Sequence, residues 1–120
     1  MRVLTENSKC FIKILRLSNV YGPSLGRSSA NDRGILNKVT ESAINGKDIT
    51  IYGEGNYMRD YIYIDDVVSA FINTAITDNT IGKVLNVTSG VGNTIKDAFS
   101  LVSDHVAKLT GKKVKINHIE

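Results

Sequence analysis

A chain of 120 residues has room for one domain, and folding a chain of that size removes about two thirds of its unfolded surface from water. Its 42% apolar and 22% charged residues mark it as globular rather than disordered, and a dispersed net charge of +3 is too weak to argue for nucleic acid. Cys10 is the only cysteine, which excludes an intrachain disulfide and favours a reducing, cytoplasmic setting. No apolar run approaches membrane length and no signal-peptide pattern opens the chain, so no membrane partner is expected.

Residues 1–9 are polar and read as a frayed end. Residues 11–17 are apolar except for Lys13 and Arg16, the pattern of a strand covered on both faces inside a parallel sheet. Gly22 and Pro23 then force the chain out of the strand. The carboxyl end of such a strand is where open α/β sheets place their ligands. Residues 24–33 form a Ser/Gly/Asn-rich loop. A helix is expected from Asp32 or Arg33 to Asn45, with Leu36, Val39 and Ala43 on one face and Gly46 at its stop. Residues 48–52 and 60–64 read as short strands around a Gly53-Glu54-Gly55 turn. That turn is no dinucleotide fingerprint, because the sixth position is Met58 and a strand follows in place of a helix.

Asp65 is a good N-cap for the next helix. There Val67, Val68, Phe71, Ile72, Ala75 and Ile76 recur at helical spacing and predict one inward stripe. A strand over residues 84–88 and a loop over 90–93 follow. Thr94, with Asp97 three positions on, resembles a capping box. It opens a helix running to about Leu109 that should bury Ile95, Phe99, Val102, Val106 and Leu109 before Gly111 ends it. Residues 113–119 alternate, which puts Val114, Ile116 and His118 on one face of a half-exposed strand. The order β-α-β-β-α-β-α-β belongs to the α/β class.

The chemistry concentrates in residues 49–66. There Arg59 stands between two strand-like runs, among Tyr52, Tyr57, Tyr61 and Tyr63. A guanidinium held by short strands grips a phosphate or carboxylate in a two-point geometry, and nearby rings cover the flat face of a base. The same residues also fit a purely structural reading, an Arg–Asp pair tying down a turn beside core tyrosines. His105 and His118 have no acid or cysteine at ligand spacing, so no metal site is expected. Asp65 and Asp66 read either as paired carboxylates or, more simply, as acids favoured by a helix N-terminus.

Two runs carry a resemblance. Leu15-Arg16-Leu17-Ser18-Asn19-Val20-Tyr21-Gly22-Pro23 is one. The other is Ile51-Tyr52-Gly53-Glu54-Gly55-Asn56-Tyr57-Met58-Arg59-Asp60-Tyr61-Ile62-Tyr63-Ile64-Asp65-Asp66-Val67. With Leu85-Asn86-Val87, a turn and Thr94-Ile95, they resemble three blocks of the NAD-dependent epimerase/dehydratase family. These are the extended short-chain dehydrogenases that modify nucleotide-activated sugars, UDP-glucose 4-epimerases among them. The resemblance covers roughly residues 11–117 and implies the C-terminal part of a Rossmann-type short-chain dehydrogenase. That part is a single partial domain: the nucleotide-sugar-binding portion plus one or two strands of the Rossmann sheet.

Carried over by position, Asn19 and Arg59 become ligands of the substrate pyrophosphate. Thr50, Ile51 and Tyr52 become the wall for a uracil or thymine base, with Ile35 closing that pocket from the other side. Leu17 and Ser18 fall near the nicotinamide end of NAD. The implied partner is a UDP- or dTDP-sugar, the implied setting polysaccharide biosynthesis, and the implied assembly a homo-oligomer. In an intact family member a tyrosinate takes a sugar hydroxyl proton while hydride passes to the nicotinamide.

This chain departs from the family in several places. Gly34 stands where relatives often have Lys or Asn, and residues 24–33 are unusual. No Gly-x-x-Gly-x-x-Gly occurs, and no tyrosine has a lysine four positions later. The chain therefore reads as a fragment without the NAD-binding part. It is expected to bind no NAD tightly, to hold no catalytic residue and to be inactive alone. A non-catalytic nucleotide-sugar-binding or protein-interaction module remains open as the alternative.

Overall fold

The computed structural model describes residues 11–23 and 34–120. The frayed start, the loop over 24–33 and a helix start at Asp32 or Arg33 lie outside the described residues. The elements are β1 (Ile14–Leu17), β2 (Asn19–Tyr21), α1 (Ile35–Ile44), β3 (Ile49–Tyr52), β4 (Met58–Tyr63), α2 (Ile64–Ile76), β5 (Val84–Val87), β6 (Gly92–Thr94), α3 (Ile95–Thr110) and β7 (Ile116–Ile119). They form three small sheets. β1 pairs with β5 in parallel, β3 pairs with β7 in parallel, and β4 is central between parallel β2 and antiparallel β6.

The core lies where α1 and α3 pack together over β3. The helical period brings Val39 and Ala43 inward from α1, and Phe99 and Val106 inward from α3. Alternation along β3 buries Ile49 and Ile51 and turns Thr50 and Tyr52 outward. Val114 closes the cluster, and the buried Ser103 hydroxyl donates to its carbonyl oxygen at 3.3 Å. α3 is capped as expected. The Thr94 hydroxyl oxygen accepts from the Asp97 N–H at 3.0 Å, and the hydroxyl donates to the Asp97 carboxylate at 2.6 Å. Gly111 ends the helix in the left-handed conformation, φ +71°. The stripe outruns the core at its far end, so Leu109 is exposed rather than buried.

Four expectations need correction. β2 is a strand that the sequence did not suggest, and β6 falls where a loop over 90–93 was expected. Each has only three residues and exists because β4 offers it an edge. α2 follows β4 with no linker, so Tyr63 takes the N-cap position. Asp65 lies inside the first turn beside Asp66, where the helix dipole favours both. The α2 stripe does not pack inward. Only Val67 of it is buried, with Thr74 on the same side, whereas Val68, Phe71, Ile72 and Ile76 are 49–77% exposed. The side of α2 that meets β4 and β2 is set by how β4 delivers the first turn, and the apolar stripe falls outside it. Finally, β1 is not covered on both faces: within the described residues it pairs with β5 alone, and Leu17 and Val84 are exposed.

Candidate functional site

The site grows from β4. Alternation puts Arg59, Tyr61 and Tyr63 on one face of that strand and Asp60 and Ile62 on the other. Register carries the first face across the sheet, because Asn19 pairs with Tyr61, Tyr21 with Tyr63, and Asn93 with Arg59. Arg59, Asn19 and Asn93 therefore share one face with Tyr21 and Tyr63, whose rings meet edge to face with centroids 5.4 Å apart. Arg59 Nη1 donates to the Met58 carbonyl oxygen at 2.9 Å, and the guanidinium is otherwise exposed. Asn19 Nδ2 donates to the Asp60 carbonyl oxygen at 3.1 Å, which fixes the amide against β4.

Asp60, directed to the opposite face, is the junction of the molecule. Its Oδ1 accepts from the Ser18 hydroxyl at 2.9 Å and from the Ser89 N–H at 2.9 Å; its Oδ2 accepts from the Gly90 N–H at 2.8 Å. The Ser89 N–H, then the Ser18 hydroxyl and the Gly90 N–H, hold the carboxyl below its ordinary range, with burial opposing them. One carboxylate thus ties the carboxyl ends of β1 and β5 to β4. The sequence points to Asp60 only as a neighbour of Arg59. Nothing in the spacing singles out its partners, since Ser18 donates through its hydroxyl but Ser89 and Gly90 donate through backbone N–H groups.

The other selected residues are dispersed. Leu17 and Ser18 lie at the end of β1, and the Ser18 hydroxyl is engaged by Asp60. Thr50 and Tyr52 are exposed on the β3–β7 sheet, not on the sheet that carries Arg59. Ile51 is 2% exposed, so only its backbone can line a ligand site. Ile35 opens α1 and is half exposed. A Cβ at Gly34 would stand 3.1 Å from the Val20 carbonyl oxygen, so a side chain there would crowd β2.

A cleft of about 910 Å³ opens between α1 and α3. Tyr21, Tyr61 and Asn93 line it from the face that holds Arg59, and Leu36, the neighbour of Ile35, lines it from α1. The selected ligands themselves are not part of its wall. Tyr61 enters the wall through its ring. Its hydroxyl is buried without a hydrogen-bond partner among the described residues, and desolvation raises its pKa against the opposing charge of Arg59. No group of three or more His, Cys, Asp or Glu side chains among the described residues is placed to hold a metal ion.

Parallel strands alternating with helices, with polar groups at the strands' carboxyl ends, place the chain in the α/β class of Rossmann type. The chain belongs to the NAD dependent epimerase/dehydratase family, which matches residues 1–88. It is 33% identical over 106 residues to the dTDP-L-rhamnose 4-epimerase of Burkholderia thailandensis, covering 88% of this chain and 29% of that protein. It superposes on the UDP-glucose 4-epimerase of Thermotoga maritima, solved with UDP-glucose, with a TM-score of 0.79 and 29% identity, over 98% of this chain and 36% of the other. The UDP-glucuronic acid 4-epimerase of Bacillus cereus, solved with UDP-glucuronic acid and NAD, gives a TM-score of 0.72 at 28% identity over 99% and 35% of the two chains. The chain spans about a third of the length of the relatives it matches.

Proposed function

We propose that this chain is the nucleotide-sugar-binding portion of an NAD-dependent epimerase or dehydratase, whose substrate is a UDP- or dTDP-sugar. The observation that carries this reading is the shared face of Arg59 and Asn19, with the guanidinium free to meet an anion. Arg59 gives the pyrophosphate two parallel charge-assisted bonds, and the Asn19 amide adds one neutral bond. Thr50, Tyr52 and the backbone of Ile51 border the base, and Ile35 closes that end. NAD is the cofactor of the intact enzyme. The residues described here do not make a dinucleotide cradle: Leu17 is apolar, the Ser18 hydroxyl is held by Asp60, and the sequence has no glycine fingerprint. Hydride chemistry is therefore not assigned to this chain alone. The same reading places the intact enzyme in the cytoplasm, preparing activated sugars for polysaccharide synthesis.

Calorimetry with UDP and dTDP tests the reading. A charge-assisted bond contributes about 1.5–3 kcal/mol, so Arg59→Ala should weaken binding roughly ten- to a hundredfold. Arg59→Lys should restore only part, since an ammonium cannot make the two-point contact. Equal affinities in all three proteins would return Arg59 to a structural role. The alternative is a module that holds the nucleotide sugar without turnover. It predicts the same binding and no conversion of the sugar even when the remaining length of a relative is supplied.

A further inference from the structure

The sheet face that carries Arg59 holds a further polar side chain, Asn93. Antiparallel register sets it directly opposite Arg59, and the Cβ atoms of such a pair stand about 4.5–5.5 Å apart. Asn19 belongs to the strand on the other side of β4, paired with Tyr61 two positions further along. Arg59 is thus flanked by two amides, and the two flanks lead to different places. Beyond Asn19 lie Ser18 and the end of β1. Beyond Asn93, the Ile95 N–H donates to the Tyr57 carbonyl oxygen and the Lys96 N–H to that of Gly55, both at 3.1 Å. These two bonds seat the start of α3 on the turn that leads back to Tyr52 and β3. Asn93 therefore occupies the flank of Arg59 that leads to the residues bordering the base.

The amide is also oriented. The Ser89 and Gly90 N–H groups donate to the Asp60 carboxylate at 2.9 and 2.8 Å, and the Val91 N–H donates to the Ser89 hydroxyl oxygen at 3.1 Å. Asn93 Nδ2 in turn donates to the Val91 carbonyl oxygen at 3.5 Å. The atom that Asn93 offers a ligand is then Oδ1, an acceptor. An ionised pyrophosphate carries acceptors only, so Oδ1 does not suit it; a sugar hydroxyl suits it well. We propose that Asn93 Oδ1 accepts from the ribose 2′-hydroxyl of the nucleotide, so that the site selects a ribonucleotide sugar over its 2′-deoxy counterpart. The inference rests on the proposed function, and it separates the two substrate classes left together there, UDP-sugars and dTDP-sugars. Between a pyrophosphate at Arg59 and a base at Tyr52 the substrate carries only its ribose. The 2′-hydroxyl sits next to the base-bearing carbon, which puts it on the flank that Asn93 occupies.

Calorimetry with UDP and 2′-deoxy-UDP, which differ by that one hydroxyl, is the test. The chain should bind UDP about three- to tenfold more tightly, the effect of one neutral hydrogen bond. Asn93→Ala should weaken UDP binding by the same factor and leave 2′-deoxy-UDP binding unchanged, so that the preference disappears. Asn93→Asp keeps an acceptor but adds a negative charge beside the pyrophosphate; it should weaken both ligands and retain the preference for UDP. A merely structural Asn93 would weaken both ligands alike on Asn93→Ala, and that result would overturn the inference. Equal affinities of the parent for the two ligands would do the same. Far-UV circular dichroism equal to the parent's verifies each variant's fold. If Asn93→Ala does not fold, Asn93→Asp decides, and loss of the preference in that variant overturns the inference. UDP binding that depends on Arg59 but not on Asn93 would overturn this inference and leave the proposed function standing. A parent that binds neither ligand would overturn both.

Discussion

Two phenylalanines that look alike in the sequence should behave differently on truncation. Phe99 of α3 is 3% exposed, in the cluster with Val39, Ala43, Ile49, Ile51, Val106 and Val114. Phe99→Ala removes a buried ring and leaves a cavity beneath β3, at a cost of about 3–5 kcal/mol. At about 0.05–0.15 kcal/mol per residue the whole chain has roughly 6–18 kcal/mol of stability, so this one change takes a large share. Phe71 of α2 is 51% exposed. Its truncation forfeits about half of a 1.5–3 kcal/mol transfer term, and alanine returns about 0.5 kcal/mol through its better helix propensity. The net loss should stay below about 1 kcal/mol. Urea unfolding followed by far-UV circular dichroism, at a dilution where the chain is monomeric, measures both, with an unchanged slope as the sign that the unfolded state is comparable. A loss under about 1 kcal/mol for Phe99→Ala would mean that α1, β3 and α3 do not share this core. A loss for Phe71→Ala as large as that for Phe99→Ala would mean that the α2 stripe is covered even in the dilute chain.

Three further outcomes are expected. The folded-state pKa of Asp60 lies below its ordinary value of 3.8. Its contribution is therefore present above that value and lost as pH falls through the lower folded one; thermal midpoints recorded on acidification should fall faster for the parent than for Asp60→Asn, and parallel curves would refute the clamp. Thr94→Ala should cost about 1 kcal/mol by removing the cap on α3, while Asp65→Ala, inside the first turn of α2, should cost about 0.3–1 kcal/mol; the reverse ranking would contradict the observed helix starts. Gly55 and Gly53 both adopt positive φ, +72° and +70°, but a Cβ at Gly55 would meet Ile51 Cγ2 at 2.9 Å, whereas at Gly53 it meets nothing within 4 Å. Alanine at Gly53 should cost the conformational strain of about 1–2 kcal/mol, and at Gly55 measurably more; equal losses would show that the turn relaxes away from β3.

What the sequence made legible was local. α1, β3 and α3 were visible because each carries its own period, and α3 has its cap and stop within one or two residues of its ends. β2 and β6 were not visible, since three residues carry no period and both exist only through register with β4. The α2 stripe was plain, but a stripe says that a helix has an apolar side and not which side its neighbours occupy. The site divided in the same way. Arg59 was found from its chemistry between two strand-like runs and Asn19 by resemblance, yet their common face depends on the pairing of Asn19 with Tyr61, which no spacing contains. Asp60 was read beside Arg59 because they are adjacent, whereas its partners lie 42, 29 and 30 positions away.

Adjacent residues of β4 point in opposite directions, and that simple fact links the two ends of the molecule. Arg59 presents its charge on the cleft-side face, while Asp60 grips Ser18, Ser89 and Gly90 behind it. A ligand drawing on the Arg59 guanidinium therefore pulls against a strand anchored to the carboxyl ends of both β1 and β5. The anchor is short and charge-assisted, the kind of bond that resists displacement best. It explains how an exposed arginine on a six-residue strand keeps a defined position without packing of its own. It also joins the anion-facing sheet to the β1–β5 sheet, which share no ladder among the described residues.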